Sequence, residues 1–550
     1  MTVPDDGTSK AGARHGMWAA IFAISLIAGV VLRLSEWIGA GLWLDEYQTL
    51  LAAGAPSLRD VLALASVEAH PPLYWLLLHV VMRSVGSDPL VAKGLSLVFG
   101  IAALLVTAVV ARRRWGVPAG IVAAVVLGGS AVAVHYSTEA RPYALVAFAL
   151  HLGLLSSVAA VERPAVGTYL AQGAALLFAL SLNFFALTLL PVGPALALFR
   201  RRGRLLLHQI LISTVVFLVT SPPLVRVATR IPPEANEYLQ TFWAGRHPAE
   251  VLAAVGWDLM PSSRWPPAHG PGAKRTPLDP VLEGASLAGV LLVLAGGAAA
   301  SLRSRRSAQG GMVETACITV LASAVAMAVF SILVGRPVVT PGRFAASFVP
   351  AVALLAGAAT MWSRSGLVGS VLLATVAAAS TGASFLKREA GIAVDRGELT
   401  AKIVASGPPG PFLVVSVGLS GTPVRYYLRQ RPDVTYASFP PDVDDHIGWW
   451  APAKALGEPA ALARDAERVA RRAVDASREG QVVLLIGADH PVASPLRAAL
   501  SRTFELRPLH GLVRGAFVLQ PRTEPSSRGD PKGALPAKPL SAGSSSASGP

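Results

Sequence analysis

The chain has 550 residues, 53% of them hydrophobic and 15% charged, with a mean hydropathy of +0.51; a soluble domain carries nearer a quarter charged residues, which argues against a purely soluble enzyme. The net charge of +15 would suit a nucleic-acid binder, but in a multi-pass membrane protein a basic excess normally sits in cytoplasmic loops. The single cysteine, Cys317, rules out an intramolecular disulfide, and no Cys/His cluster has the spacing of a zinc or iron–sulfur site.

Along the chain, residues 1–16 read as a cytoplasmic N-terminus, and mostly apolar stretches long enough for a hydrocarbon core of ~30 Å then recur. Eleven spans are expected, near 17–35, 88–111, 117–134, 142–161, 168–183, 184–199, 205–223, 281–302, 312–334, 344–362 and 366–386. The first resembles a signal peptide in position only: its apolar stretch is long and no small-residue cleavage site follows, so it reads as a retained anchor. The segment Pro71–Gly86 is hydrophobic but short, and it carries His79 and Arg83. Positive-inside counting resolves it. Arg112–Arg114, Arg200–Arg202 with Arg204, Arg303 with Arg305 and Arg306, and Arg364 all fall on the cytoplasmic side, with Lys10 and Arg14, only if residues 71–86 do not cross. That segment is therefore expected as an interfacial helix, and the protein as a multi-pass component of the cytoplasmic membrane with its C-terminus outside. The outer face then receives the loop 36–87, the turn His135–Arg141, the loop 224–280, the turn Gly335–Arg343 and everything after about Lys387. The arginine runs are accounted for as topology determinants.

After the last span, short β-branched runs alternate with helical stretches: strands at 411–417, 481–487 and 515–520, helices at 422–430 and 459–480. This predicts a small extracytoplasmic α/β domain over 387–520. Asp489 and His490 end a strand, where α/β folds place ligands, but no nucleophile or glycine fingerprint accompanies them and a solvated strand end is the preferred reading. Residues 521–550 are rich in Ser, Pro, Gly, Ala and Lys and read as a disordered tail. The fold class is thus an α-helical polytopic membrane protein with a small C-terminal α/β domain.

Three outer segments carry groups that could do chemistry. Leu42–Gln48 holds the adjacent carboxylates Asp45 and Glu46 close to a span, where desolvation is costly unless water, a cation or a metal meets them. Asp45 could equally be a helix N-cap. Further on, Pro71 and Pro72 fix the start of the interfacial helix with His70 at its mouth, a residue that alone would read as a structural hydrogen-bonder. The second outer turn, His135–Tyr143, places Glu139 and Arg141 between two spans; the two could simply pair with each other. The third brings Arg336 and Arg343 to the same surface, with snorkelling as the plain alternative. Together, acids and cations at the boundary of an apolar bundle suit a reaction whose donor is a lipid-linked phosphate: the tail stays in the bilayer, arginines hold the phosphate, and a carboxylate takes a proton from an acceptor hydroxyl.

The stretches WLDEYQ (43–48), EAHPPLYW (68–75), EARPYAL (139–145) and GRFAASFVP (342–350), in this order, resemble the landmarks of bacterial glycosyltransferases of the GT-C superfold, family 39 type, whose relatives include protein O-mannosyltransferases, the lipid A aminoarabinose transferase and lipopolysaccharide galacturonosyltransferases. The likeness covers about residues 17–390, making 17–386 a GT-C transmembrane domain, and leaves the α/β region unmatched. It implies Asp45 as general base with Glu46 beside it. Glu139 would stand where many relatives have Asp, orienting the acceptor or helping to bind a cation, and the helix after His70-Pro71-Pro72 would be juxtamembrane. Lys93 stands where relatives often carry arginine; a lysine meets phosphate as a point charge, without a bidentate fork. Arg343 is the first choice for the phosphate contact, with Arg336 and Arg141 next, and His70 and Tyr143 complete the expected substrate-binding set.

The implied activity is a single inverting displacement that moves one sugar from a polyprenyl-phosphate carrier to an acceptor hydroxyl on a lipid, glycan or protein at the outer side of the membrane. No resident cofactor is called for with certainty; a divalent ion, if one is used, would fall to Asp45 and Glu139. The loop 224–280, with Tyr238, Trp243, Trp257 and Trp265, suits either a cover over the sugar or an interfacial anchor. The competing readings are a transporter or lipid flippase, which would place ionisable groups near the midplane in repeated halves that this chain lacks, and a non-catalytic envelope scaffold.

Overall fold

The computed structural model describes residues 7–39, 41–65, 70–230, 281, 284–285, 288–296, 316, 341–361, 364–388, 410–441, 452–509 and 515–522. Within these, α1 (Gly7–Gly39) opens the bundle. The segment expected as the first outer loop with juxtamembrane helices folds into three helices: α2 (Leu44–Ala53), α3 (Leu58–Ala65) and α4 (Leu73–Ser84). α4 falls where the interfacial helix was expected and begins directly after the Pro71-Pro72 pair. α5 (Pro89–Trp115) starts sharply because the Asp88 carboxylate accepts the Leu90 N–H at 2.7 Å and Pro89 needs no partner at N1; it ends in Arg112–Arg114 before Gly116.

The expected span at 117–134 is interrupted. α6 (Val117–Gly128) stops at Gly129, and α7 (Ala131–Tyr136) restarts with Ser130 as its cap. The break is stabilised from the neighbouring helix: the buried Arg33 of α1 donates to the terminal carbonyls Leu127 O (3.0 Å) and Gly128 O (3.2 Å) of α6, and its Nε to Ser137 Oγ (3.2 Å). A cation at a helix C-terminus satisfies orphan carbonyls and meets the negative end of the dipole. The chain continues through α8 (Tyr143–Glu162), α9 (Val166–Leu180), a 3₁₀ turn at Phe184–Leu189 capped by Asn183, α10 (Val192–Phe199) and α11 (Gly203–Arg230). The expected span at 184–199 is therefore a 3₁₀ turn and a short helix divided near Pro191, and α11 runs on to Arg230 instead of ending at 223. α12 (Pro341–Ala359) packs against α5, α6 and α8, and α13 (Arg364–Arg388) against α6 and α12. Helices approach closely where a side chain would not fit: a Cβ on Gly357 of α12 would lie 2.6 Å from Ala119 O of α6.

Among the described residues four helices are long and apolar enough to cross a membrane, at Gly16–Ile38, Pro89–Trp115, Tyr143–Glu162 and Gly203–Pro222, and shorter apolar helices fill the spaces between them. The expected span at 312–334, apart from Ala316, and most of the loop 224–280 lie outside the described residues.

The C-terminal region forms a five-stranded sheet in the order β2-β1-β3-β5-β4, from β1 (Phe412–Val417), β2 (Val434–Phe439), β3 (Val482–Ile486), β4 (Phe504–Pro508) and β5 (Phe517–Pro521). β1 runs parallel to β2 and β3, and all its residues are buried, as a central parallel strand requires. The helix Pro459–Arg478 covers the sheet with a stripe of Leu462, Ala466, Val469, Ala473 and Ala476. β2, β4 and the helix Ser494–Ser501 were not expected; β4, FELRP, is a mostly exposed edge strand whose polar residues hide the period-2 signal.

Candidate active site

The two loops that carry these acids meet. Glu46, at the third position of α2, accepts the Trp43 N–H with Oε2 (3.0 Å), closing the first turn of its own helix, and the Ala140 N–H of the second loop with Oε1 (2.7 Å). Lys93 of α5 lies 4.0 Å from the same Oε1 and donates to Gly41 O at 2.8 Å. Both side chains are buried. Burial raises the Glu46 carboxyl from its ordinary 4.5 to about 7; the Glu139 charge adds to the rise, while Lys93 and the two backbone N–H groups oppose it.

Asp45 stands one residue earlier and faces outward. Its side chain is 23% exposed, against 1% for Glu46, with Oδ2 3.8 Å from Arg141 Nη2. Instead of pairing with its neighbour Glu139, Arg141 crosses to α2, where Nη1 also donates to Thr49 Oγ1 at 2.9 Å. The Arg141 carbonyl accepts from Ser96 Oγ (3.1 Å), which itself meets the Tyr74 hydroxyl of α4 (3.4 Å). Burial pushes that phenol above its ordinary value. Glu139 binds His135 Nε2 through Oε1, while its Oε2 is buried with no hydrogen-bond partner among the described residues.

An aromatic wall joins this centre to the HPP segment. The His70 ring stacks on Trp75 (6.3 Å) and meets Tyr143 edge-on (6.0 Å), and its Nδ1 lies 3.3 Å from Asn183 Nδ2. Tyr143 packs on Tyr136 at 4.7 Å, and Tyr136 on His135 at 5.4 Å. Beside the wall lies a small cavity of about 20 Å³, lined by Arg33, Gly100, Ala103, Ser137, Tyr143 and Pro350.

The structure thus brings Asp45, Glu46, Lys93, Glu139 and Arg141 together, with His70 and Tyr143 alongside. Arg336 lies outside the described residues; Arg343 is the third residue of α12, and its side chain is not described. Among the described residues no three His, Cys, Asp or Glu side chains gather into a metal cage, and the two acids named for a divalent ion face different partners, Asp45 towards Arg141 and Glu139 towards His135. Thr49, Asn183 and Tyr136 were not expected. Thr49 was accessible to a helical reading, one turn beyond Asp45, and Asn183 is an amide between apolar runs.

A further contributor comes from the α/β domain. Tyr426 and Tyr427, on the helix Gly421–Tyr427 (α14), both pack on Tyr47 of α2 with ring centroids 5.6 Å apart, and the Tyr47 and Tyr427 hydroxyls are 3.1 Å apart. The Tyr426 hydroxyl donates to Ser87 O (3.2 Å), and Arg429 lies 4.1 Å over the Tyr426 ring. The helix carrying Asp45 and Glu46 is therefore gripped from both the bundle and the sheet domain.

These features define a polytopic helical membrane fold with an α/β domain docked beside a charged site. No protein-family model matches the chain, and no curated protein matches it in sequence. Among solved structures it is similar to ArnT from Cupriavidus metallidurans: the crystal structure of the apo state aligns with a TM-score of 0.55 at 14% identity, over 92% of this chain and 98% of that one. The crystal structure of the same protein bound to undecaprenyl phosphate aligns at 0.54 and 14% identity over the same shares. The chain has an ArnT-like membrane fold, and a likeness over 92% of it reaches well past residue 390, where the sequence resemblance stops.

Proposed function

We propose that this protein is a membrane glycosyltransferase that moves a sugar from a polyprenyl-phosphate carrier to an acceptor hydroxyl on a lipid, glycan or protein at the outer face of the cytoplasmic membrane. The observation that carries the reading is the partly exposed Asp45 set beside Arg141, on a fold shared with a protein solved in complex with undecaprenyl phosphate. Asp45 takes the acceptor proton as the acceptor oxygen attacks the anomeric carbon; the bond from that carbon to the phosphate breaks, and polyprenyl phosphate leaves. One displacement inverts the anomeric centre. Arg141, with Arg343 and Arg336 as further candidates, offsets the charge that develops on the phosphate.

The remaining residues divide by burial. Glu46 and Lys93 are enclosed and hold the two loops together, so their part is to position Asp45 and Arg141. Glu139 keeps one oxygen for His135 and one for the acceptor, and His70 and Tyr143 form the aromatic side against which a sugar ring rests.

The test is transfer in proteoliposomes, offering polyprenyl-phosphate sugars with an envelope extract as acceptor and following release of polyprenyl phosphate. The full chain is expected to turn over at least one donor. Asp45→Asn should lower the rate by about 10²–10⁴-fold, the range of a general base, with expression and folding unchanged. Undiminished turnover in that variant would remove Asp45 from the reaction, and no release from any donor would overturn the glycosyltransferase reading.

A further inference from the structure

On the far side of the bundle lies a second site that the proposed reaction does not use. α8 leaves the Arg141 turn at Tyr143 and runs 20 residues to Glu162. At 1.5 Å per residue that is about 30 Å, the thickness of a hydrocarbon core, so the loop after α8 lies at the opposite membrane surface. There an open recess of about 420 Å³ is lined by Pro164, Tyr169, Arg202, Arg204, Leu205 and His208.

Its chemistry is layered. Arg202 and Arg204 flank the start of α11, whose first-turn N–H groups add to the positive field. His208 is four residues past Arg204, on the same helix face and about 6 Å deeper. Its ring lies 5.5 Å from that of Tyr169, the fourth residue of α9. Beside and below this pair the helices present bare apolar side chains, Leu170 on α9 and Leu207 and Leu211 on α11.

Among the described residues the surroundings hold almost no compensating acid. Glu162, the nearby carboxylate, is engaged by Arg114 at 2.5 Å. Arg202 donates to Val161 O (3.3 Å), which secures the end of α8 but leaves its charge in place, and Arg163, Arg201 and Arg204 form no ion pair among the described residues. Topology selection accounts for basic residues in this loop. It does not account for a recess in which cations stand above a paired tyrosine and imidazole, which stand above an apolar stripe.

That order matches a glycerophospholipid from headgroup to tail: phosphate, then ester carbonyls and glycerol, then acyl chain. We propose that this recess binds an anionic glycerophospholipid of the phosphatidylglycerol type in the leaflet opposite the candidate active site, with Arg202 and Arg204 on the phosphate, Tyr169 and His208 at the ester level and the acyl chains along α9 and α11.

Purified, delipidated full-length protein would be titrated by native mass spectrometry with phosphatidylglycerol, phosphatidylcholine and undecaprenyl phosphate of matched concentration, and separately with millimolar inorganic phosphate present. Phosphatidylglycerol should bind more tightly than phosphatidylcholine. Since one basic residue near the surface is worth about fivefold, Arg204→Ala should weaken it about fivefold and Arg204→Glu about thirtyfold. A photoactivatable phosphatidylglycerol should label peptides 164–170 and 202–208 in the native sequence, and Tyr169→Phe should reduce that labelling should the arginine variants fail to fold. Equal binding of the two phospholipids, labelling elsewhere, displacement by inorganic phosphate or preference for undecaprenyl phosphate would each overturn the proposal. The readout is lipid binding, so it stands apart from the outcome of the transfer assay.

Discussion

The two faces of the bundle use the same residue type in opposite ways. At the face carrying α2, Arg141 and Lys93 are buried and both sit in ion pairs that reach α2 from other parts of the chain. At the other face Arg113, Arg163, Arg201 and Arg204 are exposed, and among the described residues none has an acidic partner. The difference follows from solvation. A cation taken out of water must meet a charge or a set of carbonyls, whereas one at the headgroup surface keeps its water and its freedom. Within the arginine runs only some members are tied down, Arg114 by Glu162 and Arg202 by the Val161 carbonyl, whereas the isolated charges Lys93 and Arg141 are both bound into the fold.

The comparison breaks most directly at Arg141. Replacing it with alanine strips Thr49 of its donor and leaves Asp45 beside a cavity. Loss of one partner of a buried pair costs about 3–5 kcal/mol; because Asp45 is partly exposed and can rehydrate, the lower end is expected. Thermal unfolding of the purified protein should shift by several degrees. A change no larger than that of an opposite-face arginine would mean that the cross-loop pairing is decorative.

The isolated charges were legible one by one but their partnerships were not. Asp45, Glu139 and Arg141 stand out because each interrupts an apolar context at a span end. That Glu46 reaches Ala140, ninety-four positions away, has no local signal, since the contact uses a backbone N–H that any residue would supply. The long helices α1, α5, α8 and α11 were readable from length and hydropathy, whereas the breaks were not: α6 ends at Gly129, where Arg33 of α1 satisfies its last carbonyls, and 184–199 divides near Pro191. In the α/β domain the buried strands β1 and β3 were evident from β-branched runs, whereas β4, exposed at the edge, was masked by its charges. Nothing local marks Tyr426 and Tyr427 as neighbours of Tyr47.

Glu46 sharpens the contrast through pH. Its carboxyl titrates near 7 in the folded protein and near 4.5 when solvated, so between these values the native state holds the proton more tightly. The stability tied to this group is complete below 4.5 and lost as pH rises through 7, by ~3 kcal/mol at 1.36 kcal/mol per pH unit. Thermal stability should therefore fall over that window, and Glu46→Gln, which fixes the neutral form, should flatten the dependence. A Gln variant with the native pH profile would assign the titration to another group.

The docking of the α/β domain tests whether the site face is held from above as well as from within. Tyr427→Phe keeps the ring against Tyr47 and removes one hydroxyl. A net hydrogen bond contributes about 1 kcal/mol, so amide exchange across residues 44–53 should quicken about fivefold with the sheet domain itself unaltered. Unchanged exchange in α2 would show that the tyrosine cluster is adjacent without being coupled.

The smallest effect belongs to the opposite face. Arg113 lies exposed in the last turn of α5, where it adds to the favourable charge at a helix C-terminus but touches no acid among the described residues. Its replacement by alanine removes a few tenths of a kcal/mol of dipole interaction and one positive charge from a run of three, so unfolding should move within about 0.5 kcal/mol of the native value. Because Arg112 and Arg114 remain, a reporter fused after Lys387 should also keep its side. A destabilisation comparable to that of Arg141→Ala would show that this face, too, is knit by its charges, and the division between paired and idle arginines would fail.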